Sequence, residues 1–259
     1  MSDNNPIGKC FLCGASDVPL MRSHFLPKHV YRKINKGLIK EGHSKMLLHD
    51  GLSKEMTREI TGDKFCSCCE GKLSANGENY FAENAMPSVN NVAPKLFKQL
   101  ILKSPISKTD ELLYITKAID QSDEDKLLYF IVSMFWRGTL EWSNFIRYDL
   151  PPEIEREMKM FLNGDVDKIT KFHITIDLPV ENEQYSVFFP AKLKYSSHTR
   201  YMFSILSYAF NLIPFPNENG TVFYGRNIKI ERDNKALFDH LYKASKKIGN
   251  KPHDISWNN

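Results

Sequence analysis

Two pairs of cysteines carry the strongest chemical signal in this chain. Cys10-Phe11-Leu12-Cys13 is followed by Gly14, and Cys66-Ser67-Cys68-Cys69 repeats the spacing with 52 residues between the pairs. Two thiolates two residues apart grip one ion in a tight turn, and the glycine lets the backbone curl. Two such pairs predict a tetrahedral zinc site made by Cys10, Cys13, Cys66 and Cys69. Cys68 is read as a bystander thiol, because a one-residue spacing fits the paired pattern less well. A closed Zn²⁺ with four thiolates is negatively charged and has no open position for water. Such zinc folds a small N-terminal unit and performs no chemistry itself.

Between the pairs stands Met21-Arg22-Ser23-His24-Phe25-Leu26-Pro27. From Arg22 to Lys45 there are seven basic residues (Arg22, Lys28, Arg32, Lys33, Lys36, Lys40, Lys45) and one acid, Glu41. A stretch of this charge suits a polyanion, and Arg22, Lys28, Arg32, Lys33 and Lys36 are candidate nucleic-acid contacts, with Lys72 a further one. The plain alternative is a solvated basic helix. Phosphodiester hydrolysis needs a base for water, a divalent cation on the phosphate and a donor for the leaving oxygen. His24 is the candidate base. Glu70 and Ser23 are candidate oxygen ligands for Mg²⁺ or Mn²⁺, and Glu78 offers a second carboxylate. In a regular helix starting near Glu70, Glu78 stands about 80° round from it, on a loosely neighbouring face. Its alternative is a solvated surface position.

Residues 1–87 hold all five cysteines and read as one unit. Residues 88–109 read as a connector, with a short helix at 94–102. Residues 110–259 read as an α+β region with its own core. Ser122-x-x-Asp125 predicts a helix cap, and the apolar spacing from Leu127 to Phe135 carries that helix to about Ser143. A second helix is expected from Pro152 to Asn163-Gly164. Strands are expected at 172–176, 185–188, 221–224 and 227–230, and a closing helix at 233–247. The run from Tyr201 to Leu212 is apolar and aromatic. Its rings are expected in the core. Arg137, set among Phe135, Trp136 and Trp142, is read as a structural arginine tying its helix to the neighbouring sheet, the alternative being reach to a carboxylate or phosphate.

The 259-residue chain has 42% hydrophobic and 25% charged residues, which excludes a mainly disordered protein. Its net charge of +4, from 35 basic and 31 acidic residues, permits a nucleic-acid partner without demanding one. Neither a membrane span nor a signal peptide is visible, and clustered cysteines without a secretion signal lead us to expect a reducing cytoplasm.

Taken in order, Cys-x-x-Cys, His24-x-x-Pro27 and Cys-x-x-Cys-Glu70 resemble the zinc-flanked branch of the HNH endonuclease superfamily, over about residues 10–84. The resemblance implies an N-terminal treble-clef zinc unit with a ββα-metal motif. With the mixed helix and antiparallel-strand region read from residues 110–259, the expected fold class is α+β. It implies His24 as general base and Glu70 as a ligand to Mg²⁺ or Mn²⁺ or to phosphate. The family's metal-binding Asp before the histidine is Ser23 here. The usual Asn before the second cysteine pair is absent from Ile60-Thr61-Gly62-Asp63-Lys64, so Thr61 or Asp63 substitutes for it or nothing does. The implied activity is endonucleolytic cleavage of DNA, with RNA left open, in bacterial restriction or phage defence, with a partner subunit or as a homodimer. The alternative is a non-catalytic zinc module that binds nucleic acid or a partner protein. His24 and the Glu70 or Glu78 carboxylate sharing an open cleft would favour catalysis. A buried His24 satisfied by backbone would favour the module.

Overall fold

Helices and antiparallel sheets share the chain in an α+β arrangement. The computed structural model describes residues 5–41, 46–49, 52–55, 59–86, 96, 120–142, 147–177, 187–194, 199–205, 208–214 and 228–231. The connector helix (except Leu96), the strand at 221–224 and the closing helix at 233–247 lie outside the described residues. Among the described residues no helix is long and apolar enough to cross a membrane.

The N-terminal part is built on a three-stranded sheet, β1 (Ile7–Gly8), β2 (Val18–His24) and β5 (Thr61–Cys66), with β2 central and both pairings antiparallel. Between β2 and β5 come α1 (Lys28–Glu41) and an antiparallel pair, β3 (Met46–His49) with β4 (Leu52–Glu55). The strand register sets Thr61 opposite His24 and Asp63 opposite Arg22, with a bulge between Met21 and Arg22.

A helical rod follows β5. It runs as α2 (Ser67–Leu73), one π turn (Ser74–Glu78) and α3 (Asn79–Asn84), with helical backbone at each junction. A π turn accommodates one extra residue, and so sets the later positions back by about 100°. The 80° offset expected between Glu70 and Glu78 thus shrinks to about 20°, and the two carboxylates fall on one face. Gly77 lies within this turn because α4 (Gln121–Arg137) crosses it closely: a Cβ there would lie 2.8 Å from the Phe130 backbone nitrogen. Gly77→Ala is therefore expected to cost about 1–3 kcal/mol, measured as a lowered denaturant midpoint, because backbone cannot yield as a side chain can.

α4 is buried all round from Leu127 to Arg137. It passes between the rod and a five-stranded sheet, stacking Phe130 on Phe81 at 4.1 Å and setting Phe135 against Phe203 at 4.8 Å. The sheet contains β6 (Phe172–Asp177), β7 (Val187–Lys194), β8 (Thr199–Ile205), β9 (Tyr208–Pro214) and β10 (Ile228–Glu231), in the order β10-β6-β9-β8-β7. Only the β10/β6 pairing is parallel. The aromatic run from Tyr201 divides into β8 and β9, and Tyr201, Phe203, Tyr208 and Phe210 are buried. A single buried cluster extends from Cys10 and Leu12 through α4 to Phe210 and Leu212.

α4 starts and stops differently from the sequence reading. Asp120, without a side-chain cap bond, takes the N-cap position, and Ser122 falls inside the first turn. The helix ends at Arg137, six residues before Ser143, where the backbone tightens into three-residue turns (Thr139 N–H to Trp136 O, Leu140 N–H to Arg137 O) and side chains bond the same last carbonyls. Thr139 Oγ1 donates to Trp136 O at 2.8 Å, Trp142 Nε1 to Arg137 O at 2.8 Å, and Tyr148 Oη to Phe135 O at 2.8 Å. α5 (Pro152–Asn163) follows the sequence expectation, closing on Gly164 at φ +83°, with Asp165 N–H donating to Met160 O at 2.9 Å.

Candidate functional site

Two sites stand close together in the N-terminal part. In the first, the Sγ atoms of Cys10, Cys13, Cys66 and Cys69 all lie within 4.8 Å of one another. Tetrahedral Zn–S bonds of about 2.3 Å require sulfurs about 3.8 Å apart, so the cluster fits the ion with a small contraction. The turn that presents Cys10 and Cys13 is closed by Gly14 N–H donating to Cys10 O at 2.9 Å, with Gly14 at φ +78°. The Cys66 N–H points at Cys10 Sγ, 3.4 Å away, an arrangement that favours a thiolate there. Cys10 and Cys69 are buried, whereas Cys68 is exposed and outside the cluster. These four cysteines are positioned to hold a metal ion and are compatible with zinc.

The second site is an open cleft of about 350 Å³ lined by His24, Pro27, Lys28, Glu70, Gly71, Ser74 and Glu78. β2 delivers His24 at its last residue, α1 delivers Lys28 at its first, and the rod delivers both glutamates from one face. Glu70 Oε1 is buried and has no hydrogen-bond partner. An orphan carboxylate oxygen in a cleft is a position that a cation, a water or a substrate donor would satisfy. Nearby, His29 Nε2 is also buried and unpartnered. Burial holds the His29 imidazole below its usual range, opposed by Glu78 and reinforced by Arg32. Among the described residues the thiol cluster is the only group of three or more His, Cys, Asp or Glu that could hold a metal. Glu70, Glu78 and His24 therefore share the cleft without forming a ready cage.

Not every expected residue reaches this cleft. Ser23 is buried at 1% exposure, with its hydroxyl donating to Met21 O at 3.2 Å. Alternation along β2 turns it away from the side that presents His24. Glu78 is there, but one of its oxygens is bound to Arg137 Nη2. Lys72 is spent elsewhere: its Nζ donates to Asn163 O at 2.9 Å, at the end of α5 where a cation meets the free helix carbonyls. Asn163 also donates to Leu12 O at 3.0 Å, so this helix end is bolted to the cysteine turn. The other basic candidates remain on the surface. Lys28, Arg32 and Lys36 recur every fourth residue on α1 and are exposed, while Lys33 is half-buried. Arg22 is exposed, with Nε 3.4 Å from Thr61 Oγ1.

Arg137 reaches a carboxylate, the alternative the sequence left open. Its side chain is 2% exposed, Nη1 donates to Phe25 O at 3.1 Å, and Nη2 holds Glu78. It ties α4 to the residue after His24 and to a cleft carboxylate together. It serves both as a structural tie, to the residue that follows β2, and as a carboxylate partner. Arg137→Met is expected to destabilise the protein by about 3 kcal/mol, read by denaturant melts, because Glu78 loses its partner in a largely buried place.

Sequence reasoning missed Glu59. Its Oε2 lies 3.0 Å from His24 Nε2, and nothing in the spacing of the motif pointed to it. Compared with protein-family models, with curated proteins and with solved structures, the chain matches none.

Proposed function

We propose that this protein is a metal-dependent, HNH-like endonuclease that hydrolyses phosphodiester bonds in DNA, and that the cysteine unit is a treble-clef zinc support. The observation that carries the reading is the shared cleft: His24 and the Glu70 and Glu78 carboxylates line one solvent-open space. His24 is not sealed in the core; its side chain is 25% exposed. The antiparallel β2/β5 pair followed directly by α2 is compatible with a ββα-metal motif.

The roles follow from the chemistry. His24 takes the proton from the attacking water. Glu70, through its unpartnered oxygen, would supply one hard ligand to a divalent cation such as Mg²⁺ or Mn²⁺. That cation, when bound, neutralises charge on the scissile phosphate. Glu78 is held by Arg137 and shapes the wall of the cleft. Lys28, at the cleft edge, and the Arg32–Lys36 stripe draw in the nucleic-acid backbone.

The test is plasmid cleavage with Mg²⁺ or Mn²⁺. Cleavage by the wild type supports the reading. Absence of cleavage of DNA and RNA, with or without a partner subunit, gives the protein over to the binding-module alternative. Binding has its own expectation: affinity should fall steeply between low and physiological salt as counterions are released. Changing Lys28 and Arg32 to Ala should weaken all sequences equally and flatten the salt slope by about two. An affinity indifferent to salt would make the stripe a solvated face.

A further inference from the structure

A histidine can serve as a base only through the ring nitrogen that lacks a hydrogen, and a neighbour has to choose which one that is. His24 has such a neighbour. Its Nε2 lies 3.0 Å from Glu59 Oε2, and the two side chains are 25% and 29% exposed. The contact joins two chain segments locked in register. Phe25 N–H donates to Ile60 O at 2.9 Å, so the residue after His24 is bonded to the residue after Glu59. Ile60 N–H donates to Tyr31 Oη at 3.1 Å, and Tyr31 is 2% exposed. The Tyr31 ring stands 6.3 Å from that of His24. The backbone next to Glu59 is therefore held from two sides, which is more than a chance surface ion pair receives. At this exposure the pair adds little stability, so its effect is one of orientation.

An ionised carboxylate only accepts hydrogen bonds, so a neutral His24 paired with Glu59 through Nε2 would carry its hydrogen on that nitrogen. A neutral imidazole has one N–H, which leaves the lone pair on the other nitrogen. We propose that Glu59 is a positioning residue that fixes His24 as the Nε2–H tautomer and makes Nδ1 the proton acceptor. Only the catalytic consequence rests on the nuclease reading; the tautomer does not. In that reaction the Nδ1 lone pair takes one proton from water. The O–H electron pair stays on oxygen and forms the new bond to phosphorus. The P–O ester pair departs with the leaving oxygen, which takes a proton from solvent. The imidazolium formed transiently between Nδ1–H and Glu59 returns its proton to solvent. Water and diester become monoester and alcohol.

The experiment is long-range ¹H–¹⁵N correlation on the ¹⁵N-labelled full chain, above about pH 8 where an ordinary imidazole is neutral. His24 is assigned as the signal missing from His24→Gln. The wild type should show a protonated Nε2 and a bare Nδ1. Glu59→Ala should give a mixture of tautomers. Glu59→Gln, which keeps the shape but not the charge, should lower kcat by about tenfold or more, with KM and zinc content unchanged. A wild-type Nδ1–H tautomer overturns the proposal. So does a Glu59→Ala spectrum unchanged at His24. If Glu59→Ala does not fold, the wild-type tautomer and the Glu59→Gln kinetics still decide. Wild-type protein that shows the tautomer but never cleaves sinks the nuclease reading and leaves the positioning role. Cleavage that ignores Glu59→Gln sinks the positioning role and leaves the nuclease.

Discussion

Cys10→Ser will release the metal and unfold the N-terminal part of the protein. Cys10 is fully buried, its Sγ sits in the four-thiol cluster, and a backbone N–H already points at it. A serine hydroxyl stays protonated and does not replace a thiolate on zinc. Metal binding and folding are coupled, and structural zinc in small domains is worth roughly 10–16 kcal/mol at neutral pH, so the loss outweighs the stability of an ordinary domain. The damage should spread, because Leu12 and Cys69 belong to the same buried cluster as α4 and the five-stranded sheet. Elemental analysis should give about one zinc per chain for the wild type and for Cys68→Ser, whose thiol is exposed and outside the cluster. Wild-type protein purified without chelator and found to lack zinc would refute the assignment.

His24→Ala should abolish metal-dependent cleavage while zinc content and DNA affinity hold. Removing a general base costs about 10²–10⁴ in rate, far beyond assay scatter. His24 lies outside the thiol cluster and off the α1 stripe, so neither metal retention nor charge-driven binding depends on it. Glu70→Ala should also slow cleavage, and added Mg²⁺ should restore part of it, since a weakened cation site still fills at high concentration. Added Mg²⁺ should do nothing for His24→Ala, because the metal does not replace the base. Ser23→Asp, which would look restorative on the sequence motif alone, is expected to impair folding. It forces a carboxylate into a place that is 1% exposed, where the hydroxyl bonds Met21 O. Equal cleavage by wild type and His24→Ala would remove His24 from the reaction.

Local chemistry was legible without a structure. Thiol spacing is a covalent property of the chain, so the two cysteine pairs announced one four-thiol cluster, and Cys68 lies outside it. Helix and strand period are likewise local: Pro152 and Gly164 bounded α5, and the alternation at 172–176 marked β6. The aromatic rings of β8 and β9 went to the core, as their apolar run required. His24 and Glu70, singled out by the order of the motifs, both line the cleft.

What the sequence could not decide depended on distant partners. A regular helix put Glu78 on a loosely neighbouring face, about 80° round from Glu70, and the π turn, pressed against α4 at Gly77, brought the two closer to one face. Whether Lys72 is free depended on the end of a helix 91 residues away, and Arg137 reaches 59 residues back to Glu78. Glu59 carries no motif and stands beside His24 because Ile60 is bonded to Phe25 and Tyr31. Residue types and spacing thus determined which groups are available for chemistry. Long-range packing decided which of those groups remain unpaired, because a side chain's free hydrogen-bonding capacity is what the rest of the fold leaves over.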